Sequence, residues 1–558
     1  MRMNASHAVK TVFACVLAAA AAGAAHTETI DIGEKAVRCD WELIPYETMD
    51  GKKGRFAHVV ATAQPGREVE SPLAAKGRYR IWIGAVAKRW GGYSIYVRLG
   101  REKYPDRMKV DFNVPGMPAE NPVIGELEFA VADIDGDSLV VRNVPGLPGG
   151  IAWVRLEPVV EPSLPGCRKG AGMVATNDSC FPYYDREEYF SDFRHFADSP
   201  VGKIFFCVFT GENSFPVKTR TGICAKYDPA VPYPKEIHAR TVKSCERLVA
   251  DNPRLLVETV DYVHSLGKEL HAYFRPGAAV DSRMFWSGAA DAGESSGKKG
   301  VLYAPENLCR LWDGMAVGRP SYAKKEVREF VLGQCRELLD CGFDGICFAF
   351  TRALPMALFE PAFRDRFRAE FGEELKYKDD PRVAGLRCRI GSEFLAEVKN
   401  ILGKRQLSLI VLGSVERNLE FGLDIAALAR AGTVDEFIVD GEDFRLPRKI
   451  AVEKIDFESF RLATAGTKAK FRPQFTIWWN GLAMENFRKA AENGCEPACL
   501  WDGAHMPWQD WERIRRIDGG DFSAAERWAK EHPDSWRVHR LKSVNNFDIV
   551  EYPWWFAF

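Results

Sequence analysis

After residue 168 the chain alternates between short apolar segments and longer amphipathic segments, and this alternation constrains the fold more than any other feature. Glycines at Gly267, Gly342, Gly403 and Gly494 fall where helices should end before the next strand. Eight strand-then-helix units predict an α/β fold, a (β/α)8 TIM barrel, over residues 168–520. The runner-up is an open doubly wound sheet, but ATNDSCF lacks the Gly-rich loop that such a sheet carries after its first strand. The strand-like segments are GMVATND, GKIFFCVFTGE, KELHAYFRP, FDGICFAFTR, LSLIVLGSVE, DEFIVDGED, KFRPQFTIWW and EPACLWDGA.

Residues 30–160 have short alternating runs and no helical pattern of useful length. RYRIWIGAV, YSIYVRLG, GELEFAVADI, DSLVVRNV and IAWVRLEPV place β-branched and aromatic residues at period two. The pattern predicts an antiparallel β-sandwich before the barrel, bounded by the Pro-rich segment VEPSLPGC. Trp90 and Tyr93 are candidates either for a sugar platform or for ordinary packing. Residues 521–558 are predicted to form a C-terminal tail packed on the barrel.

Residues 1–25 carry a targeting signal. Arg2 and Lys10 lie before or beside the apolar run VFACVLAAAAAGAA, which ends in small residues as a secretory signal peptide does. We therefore expect cleavage near Ala24 or Ala25 and a secreted or periplasmic protein. No later segment has the ~20 apolar residues of a membrane helix, so we expect no membrane association after cleavage.

The charge balance excludes one large class of partners. With 76 Lys and Arg against 77 Asp and Glu, the formal net charge is −1, so no overall field favours nucleic acid or anionic lipid.

Several of the fourteen cysteines, such as Cys207, Cys347 and Cys499, lie in strand-like apolar runs, where a thiol acts as a small core side chain. The CEPAC segment has no second pair of ligands. We expect few disulfides, no metal site and no cofactor.

Three segments of the predicted barrel resemble a family of bacterial extracellular barrels, the family 10 glycosyl-hydrolase-like proteins. They are SYAKKEVREF (321–330), GFDGICFAFTR (342–352) and FGLDIAALARAGTVDEFIV (421–439). The second segment matches the family pattern Asp-Gly-Ile-x-Leu-Asp-Phe-x-Arg at five positions, and Ala349 replaces the second Asp. The resemblance spans most of residues 170–505 and implies a carbohydrate-active barrel. The matching residues are Asp344, Gly345, Ile346, Phe350 and Arg352.

Carboxylates follow several of the predicted strands. Glycoside hydrolysis needs two carboxylates across the scissile bond, and in a barrel they come from the carboxyl ends of strands. We predict Glu416, after the fifth strand, as general acid and Asp440 or Asp443, at the sixth, as its partner. Neighbouring strands can bring such groups within ~5–9 Å of one another. The alternative for each is a loop carboxylate that pairs with arginine or caps a helix.

The remaining candidates are substrate-binding side chains at predicted strand ends. His271, Tyr273 and Arg275 alternate along HAYFR and therefore share one face of the third strand. If that face points inward, His271 and Tyr273 lie in the barrel and Arg275 reaches its mouth. Arg275 and Arg352 are placed either to clamp the carboxylate of an acidic sugar or to form salt bridges inside the barrel. The alternatives for the others are core packing for the tryptophans and loop positions for the polar residues. These others are Asp178, Trp478, Trp501, Asp502 and His505.

Together these features predict a secreted glycoside hydrolase that acts on a poly- or oligosaccharide through carboxylates at the carboxyl ends of the strands. The alternative is a catalytically degenerate barrel that binds carbohydrate without cleaving it, because Ala349 stands where the family has Asp. Two carboxylates facing one another in a cleft favour the enzyme. A cleft lined by tryptophan and arginine with scattered acids favours the binder.

Overall fold

The structure is a computed structural model of the 558-residue chain. The chain divides into two compact units, Met1–Leu164 with Glu531–Ala557, and Pro165–Lys530 with Phe558. The residues that the structure describes are 28–31, 41–59, 68–88, 93–110, 122–144, 147–159, 172–178, 186–209, 243, 246–276, 301–352, 355–441, 454–476, 484–501, 503, 506–517, 522–533 and 538–544.

The first unit consists of antiparallel strands, as its period-two sequence predicts. They form two sheets, with the orders β1-β10-β3-β2-β21-β8-β5 and β4-β9-β6-β7. The strands are β1 (Glu28–Asp31), β2 (Glu42–Thr48), β3 (Lys53–Val59), β4 (Val69–Pro72), β5 (Lys76–Lys88), β6 (Tyr93–Leu99), β7 (Asp106–Val110), β8 (Pro122–Asp135), β9 (Ser138–Asn143), β10 (Gly149–Pro158) and β21 (Val538–Val544).

The larger sheet closes on itself. Strand β10 pairs with β3 through Ile151 and Ala57, and it also pairs with β5 through Trp153 and Gly84. The pairings β10-β3-β2-β21-β8-β5-β10 therefore form a ring of six strands. Closure removes most unpaired strand edges, which otherwise invite pairing with another chain.

The second unit is built on a closed barrel of eight parallel strands, in the order β11-β12-β13-β16-β17-β18-β19-β20, which confirms the predicted fold class. Each neighbouring pair of these strands is parallel, from β11–β12 round to β11–β20. The barrel strands are β11 (Met173–Asn177), β12 (Val201–Phe209), β13 (Glu269–Phe274), β16 (Gly345–Ala349), β17 (Gln406–Leu412), β18 (Glu436–Asp440), β19 (Lys470–Thr476) and β20 (Cys499–Trp501).

Helices alternate with the barrel strands, and a hairpin of β14 (Leu308–Arg310) and β15 (Ala316–Pro320) follows β13. The described helices are α1 (Arg186–Arg194), α2 (Leu255–Ser265), α3 (Lys325–Asp340), α4 (Pro361–Phe371), α5 (Arg382–Leu402), α6 (Val415–Glu420), α7 (Ile425–Arg430), α8 (Phe457–Thr464), α9 (Met484–Glu492), α10 (Trp508–Ile514) and α11 (Ser523–Glu531). Short 3₁₀ turns lie at Val301–Tyr303, Pro305–Asn307 and Phe350–Arg352. None of the described helices is long and apolar enough to cross a membrane.

Two predicted helix-ending glycines illustrate how the chain returns to the sheet. Gly342, between α3 and β16, has φ of 102°, and Gly403, between α5 and β17, has φ of 59°. Residues with a side chain rarely adopt positive φ, so glycine lets the chain turn sharply after each helix.

The C-terminal segment is divided between the two units, which corrects the prediction that residues 521–558 pack on the barrel as one tail. Phe522 still contacts Phe487 of α9, with ring centroids 5.9 Å apart. Strand β21, however, pairs with β2 through Tyr46 and Val544 and with β8 through Val538 and Gly125. Its backbone N–H and C=O groups thereby pair with those of β2 and β8, which would otherwise be open sheet edges.

The barrel interior is packed rather than hollow. A cluster of buried, mainly apolar side chains fills its middle: Val174, Phe205, Cys207, Tyr273, Cys347, Ala349, Ile410, Ile438 and Cys499. At the amino ends of the strands, a polar group formed by Lys203, Gln406, Ser408, Glu436 and Arg472 closes the barrel. We call this closed end the floor and the opposite end, at the carboxyl ends of the strands, the mouth. In such barrels ligands bind at the mouth.

Candidate functional site

Four predicted site residues lie at the mouth because each ends a strand or follows it directly. Asp178 follows β11, Arg275 follows β13, Asp440 ends β18 and Trp501 ends β20. All four are buried, with at most 8% of their surface exposed. The sequence prediction that these side chains gather at one end of the barrel is consistent with this placement.

Arg275 is surrounded by the other mouth residues. Its guanidinium forms an ion pair with the carboxylate of Asp178. Its Nε–H donates to the hydroxyl oxygen of Tyr273 at 3.3 Å, and its Cζ lies 5.6 Å from the centroid of the Tyr273 ring and 5.8 Å from that of Trp501. Such contacts of a guanidinium with aromatic rings are attractive. Arg275 therefore binds Asp178 and stacks near two rings at once.

Asp440 reaches the interior from the sixth strand. It pairs in register with Gln474 of β19, which in turn pairs with Cys499 of β20, so the three side chains share the inner face. The Cys499 thiol contacts the Gln474 side-chain oxygen at 3.8 Å. Burial raises the pKa of the Cys499 thiol, and the charges of Glu436 and Asp440 raise it further. Asp440 therefore places a carboxylate at the upper end of the packed interior.

Gln474 is a residue that the sequence reasoning missed. Its side chain is 1% exposed, and its amide Nε2 has no hydrogen-bond partner among the described residues. A buried amide donor without a partner is costly unless it meets water or a ligand. Its position two residues before the end of the KFRPQFT strand, next to the Asp440 strand, was the signal available in the sequence.

Glu416 lies apart from this inner group. It occupies the first turn of α6, which begins directly after β17, and its side chain is exposed. Ser414 caps this helix by accepting the backbone N–H of Arg417 at 3.2 Å. The predicted position after the fifth strand is therefore correct, while the carboxylate lies on a surface helix rather than in the buried interior with Asp440.

His271 lies inside the barrel below the mouth, where an inward-facing HAYFR strand was expected to place it. It faces inward, as the alternation along HAYFR predicts, but four residues nearer the floor than Arg275. Its Nε2 contacts a carboxylate oxygen of Glu269 at 3.2 Å, and it pairs in register with Gly345, the first residue of β16. Burial lowers the pKa of His271 even though the bond to Glu269 raises it. The structure places this histidine in the lower barrel.

Ala349 lies where the resemblance implies a carboxylate. It ends β16, pairs in register with Ile410 of β17 and is fully buried in the apolar interior cluster. Arg352 follows in the 3₁₀ turn Phe350–Arg352, and its side chain lies outside the described part of the structure. Asp344, just before the opposite end of the same strand, accepts the backbone N–H of Leu270 at 2.8 Å and so has a structural role there.

Several predicted site residues lie outside the described residues, namely Asp443, Trp478, Asp502 and His505. Trp90 of the first unit is also outside them, and Tyr93 is only 1% exposed, so it packs rather than forming a sugar platform. Among the described residues no cluster of three or more His, Cys, Asp or Glu side chains is arranged to hold a metal ion. The eight described cysteines form no disulfide; they are Cys207, Cys309, Cys335, Cys341, Cys347, Cys388, Cys495 and Cys499.

The fold and its mouth define the chain as a closed (β/α)8 barrel protein with an additional antiparallel β unit. No family model matches the chain, and no curated protein matches it either. The function therefore has to be argued from the residues of the mouth.

Solved structures similar to this chain include carbohydrate-active and other enzymes. TtGalA, an alpha-galactosidase from Thermus thermophilus, is 12% identical, with 85% of this chain and 94% of that chain covered and a TM-score of 0.35. A ruminal GH26 endo-beta-1,4-mannanase is 11% identical, with 89% and 96% covered and a TM-score of 0.30. Morphinone reductase is 13% identical, with 62% and 85% covered and a TM-score of 0.33. These similarities are too low, and their activities too varied, to select a function.

Proposed function

We propose that the protein is an exported carbohydrate-active barrel that hydrolyses glycosidic bonds of a poly- or oligosaccharide at the mouth. The observation that carries the proposal is the placement of two buried carboxylates, Asp178 and Asp440, at the carboxyl ends of β11 and β18 with the Trp501 ring at the end of β20. Carboxylates supply proton transfer or nucleophilic attack, and aromatic rings pack against the C–H faces of sugars.

Asp440 is the central group of this proposal. It lies on the inner face beside the buried Gln474 amide, whose Nε2–H is suited to donate a hydrogen bond to a sugar oxygen. Asp440 acts as nucleophile or base, and its partner acid is Glu416, which lies in the exposed first turn of α6 directly after β17. Asp178 is held by Arg275 and accepts hydrogen bonds from sugar hydroxyls.

The test is hydrolysis of a panel of polysaccharides, followed by the release of reducing ends. Asp440→Asn keeps the size of the side chain and is expected to lower kcat/KM by about 10²–10⁴-fold. Glu416→Gln removes the proposed acid. Its matched control is Glu420→Gln at the other end of the same short helix, α6, and this control should leave turnover unchanged. Wild-type turnover in Asp440→Asn, with an unchanged melting temperature, would refute the assignment of Asp440.

A second candidate is a barrel that binds glycans without cleaving them, and Ala349 favours it. Its methyl group lies among apolar side chains such as Ile410 and Ile438, so no carboxylate is presented from β16. This candidate predicts retention of the wild-type protein in glycan-containing gels without release of reducing ends. Ala349→Asp restores the carboxylate at this position. The apolar neighbours disfavour its ionised form, so turnover should appear only where the new carboxylate is ionised.

Export forms part of the proposal and rests on the sequence of residues 1–25. Expression of the full chain in a bacterial host, with fractionation and N-terminal sequencing, tests it. The expected result is a mature protein outside the cytoplasm that begins near residue 25 or 26. A cytoplasmic protein that retains Met1 would contradict it.

A further inference from the structure

The charged groups of the mouth suggest which glycans it accepts. Arg275 directly follows a barrel strand and is the one cationic side chain at the mouth among the described residues that end or directly follow these strands. It already forms an ion pair with Asp178. The Asp178 side chain is 11% exposed and that of Arg275 is 7% exposed, so the pair is largely removed from water. Separating a buried pair leaves both charges uncompensated, which is strongly unfavourable.

The other contacts of Arg275 reinforce this arrangement. Tyr273 accepts the Nε–H at 3.3 Å, and the rings of Tyr273 and Trp501 lie near the guanidinium. A guanidinium that clamps a substrate carboxylate normally presents two parallel N–H groups to it. Here a carboxylate of the protein itself, Asp178, takes part of that edge. A sugar carboxylate approaching Arg275 would therefore meet the negative charge of Asp178.

We infer that the mouth selects glycans without carboxylate groups, and that Asp178 and Arg275 together form the element that excludes uronates. This inference deepens the proposed function and rests on it. It also replaces the expectation that Arg275 clamps an acidic sugar. Asp178 neutralises the arginine and holds it in place, while its remaining oxygen lone pairs can accept hydrogen bonds from the hydroxyl groups of an uncharged sugar.

The experiment compares matched pairs of polymers, namely mannan with polymannuronate and galactan with polygalacturonate, by affinity electrophoresis and calorimetry at low salt. Wild-type protein is expected to bind a neutral polymer at least about 10-fold more tightly than its uronate counterpart, because juxtaposed like charges are unfavourable.

Asp178→Asn tests the element directly, because it removes the negative charge and keeps the shape. Its expected effect is tighter binding of uronates, so that the preference for the neutral polymer falls at least about 10-fold. Asp178→Glu keeps the charge and serves as the matched control, and its preference should resemble that of the wild type. The melting temperatures of both variants are compared with that of the wild type to check that each variant is folded.

The outcomes separate this inference from the proposed function. Tighter wild-type binding of uronates, or an unchanged preference in folded Asp178→Asn, overturns the inference while leaving a carbohydrate-binding mouth. Failure of the wild type to bind any polymer of a broad panel overturns the proposed function, and the inference with it. Neutral preference in the wild type that is lost in Asp178→Asn supports both.

Discussion

Arg472 donates its Nε–H to a carboxylate oxygen of Glu436 at 2.8 Å across the floor of the barrel. The other carboxylate oxygen of Glu436 accepts from Lys203 Nζ at 3.0 Å and from the Ser408 hydroxyl at 3.2 Å. The Arg472 and Glu436 side chains are only 5% and 1% exposed. Residues from strands β12, β17, β18 and β19 therefore meet at one buried carboxylate, which ties the ends of the strands together.

Glu436→Gln should destabilise the barrel because it removes the negative charge between the buried Arg472 and the part-buried Lys203. Loss of one partner of a buried ion pair typically costs about 3–5 kcal/mol. Unfolding by urea, followed by circular dichroism, measures the change in the free energy of unfolding. The matched control is Glu458→Gln. The side chains of Glu458 and its partner Arg461 are both 60% exposed, so this substitution should cost at most about 1 kcal/mol of unfolding free energy. Equal effects of the two substitutions would contradict the role of the floor.

The same carboxylate predicts a dependence of stability on pH. Burial alone raises the pKa of Glu436, but the charges of Arg472 and Lys203 outweigh it and lower the pKa to about 2. A lowered pKa gives stability that is fully present above the unfolded-state pKa of about 4.3 and is lost as the pH falls towards 2. The contribution is about 3 kcal/mol.

The measurement is the difference in unfolding free energy between the wild type and Glu436→Gln at several pH values from 7 to 2.5. The other acids titrate equally in both proteins, so their contributions cancel in this difference. The difference should therefore stay constant down to about pH 5 and then shrink as Glu436 becomes protonated. A difference that is independent of pH over this range would mean that Glu436 does not carry its charge in the folded state.

Much of the fold was predictable because local patterns and tertiary structure agree. The eight apolar segments became parallel strands, and glycines such as Gly342 and Gly403 turn the chain where the helices were expected to end. The destination of β21 was not predictable, because a strand of seven residues shows nothing of its partners β2 and β8, which lie some 400 residues or more away in the sequence.

The site was predictable only as a set of positions. Residues that end strands, such as Asp178 and Asp440, could be assigned to the mouth from the fold alone. The partner of Arg275 could not, because Asp178 lies on another strand, and the choice between a substrate clamp and an internal ion pair depends on side-chain geometry. The contact of His271 with Glu269 likewise depends on side-chain geometry, which the alternation along one strand does not reveal.

Glu360 is predicted to hold the β14–β15 hairpin in place. One of its carboxylate oxygens accepts from the Ser321 hydroxyl, and the other accepts the backbone N–H groups of Arg310 at 3.3 Å and Leu358 at 3.0 Å. Its side chain is fully buried. Glu360→Ala should therefore leave buried donors unpaired and loosen the hairpin, at a cost of about 1–3 kcal/mol for each such group.

Hydrogen exchange of Leu308–Pro320, read by mass spectrometry, measures this loosening. The expected result is faster exchange in this segment of Glu360→Ala, with the strands of the barrel unaffected. Glu374→Ala is the control, because Glu374 is exposed and forms an ion pair with the equally exposed Arg368. Unchanged exchange of the hairpin in Glu360→Ala would contradict the assignment.

Gly84 of the closed β-ring is expected to tolerate no larger residue. A Cβ atom at this position would overlap the indole ring of Trp153 on the paired strand β10. Gly84→Ala should destabilise the first unit by about 1–3 kcal/mol, as overpacking of a core does. Gly385→Ala, on helix α5, is the contrasting change, since its Cβ would meet only the end of Arg389 at 3.6 Å. Alanine there should stabilise by about 0.5–1 kcal/mol, and the two melting temperatures should move in opposite directions.

The buried thiols of the barrel are expected to stay reduced and unreactive in the native protein. Burial raises the pKa of both Cys347 and Cys499, so little thiolate forms near neutral pH. Alkylation by iodoacetamide at pH 8, mapped by mass spectrometry, should label the partly exposed Cys341 faster than the buried Cys347 and Cys499, because the reagent attacks only a thiolate that it can reach.

Denaturant should abolish this difference, and all three thiols should then react at similar rates. The unfolded protein therefore serves as the control for intrinsic reactivity at each cysteine. Rapid native labelling of Cys347 or Cys499 would require that the barrel interior opens on the timescale of the reaction. That result would contradict a packed interior beneath the mouth, and with it the closed barrel on which the placement of Asp178, Arg275 and Asp440 depends.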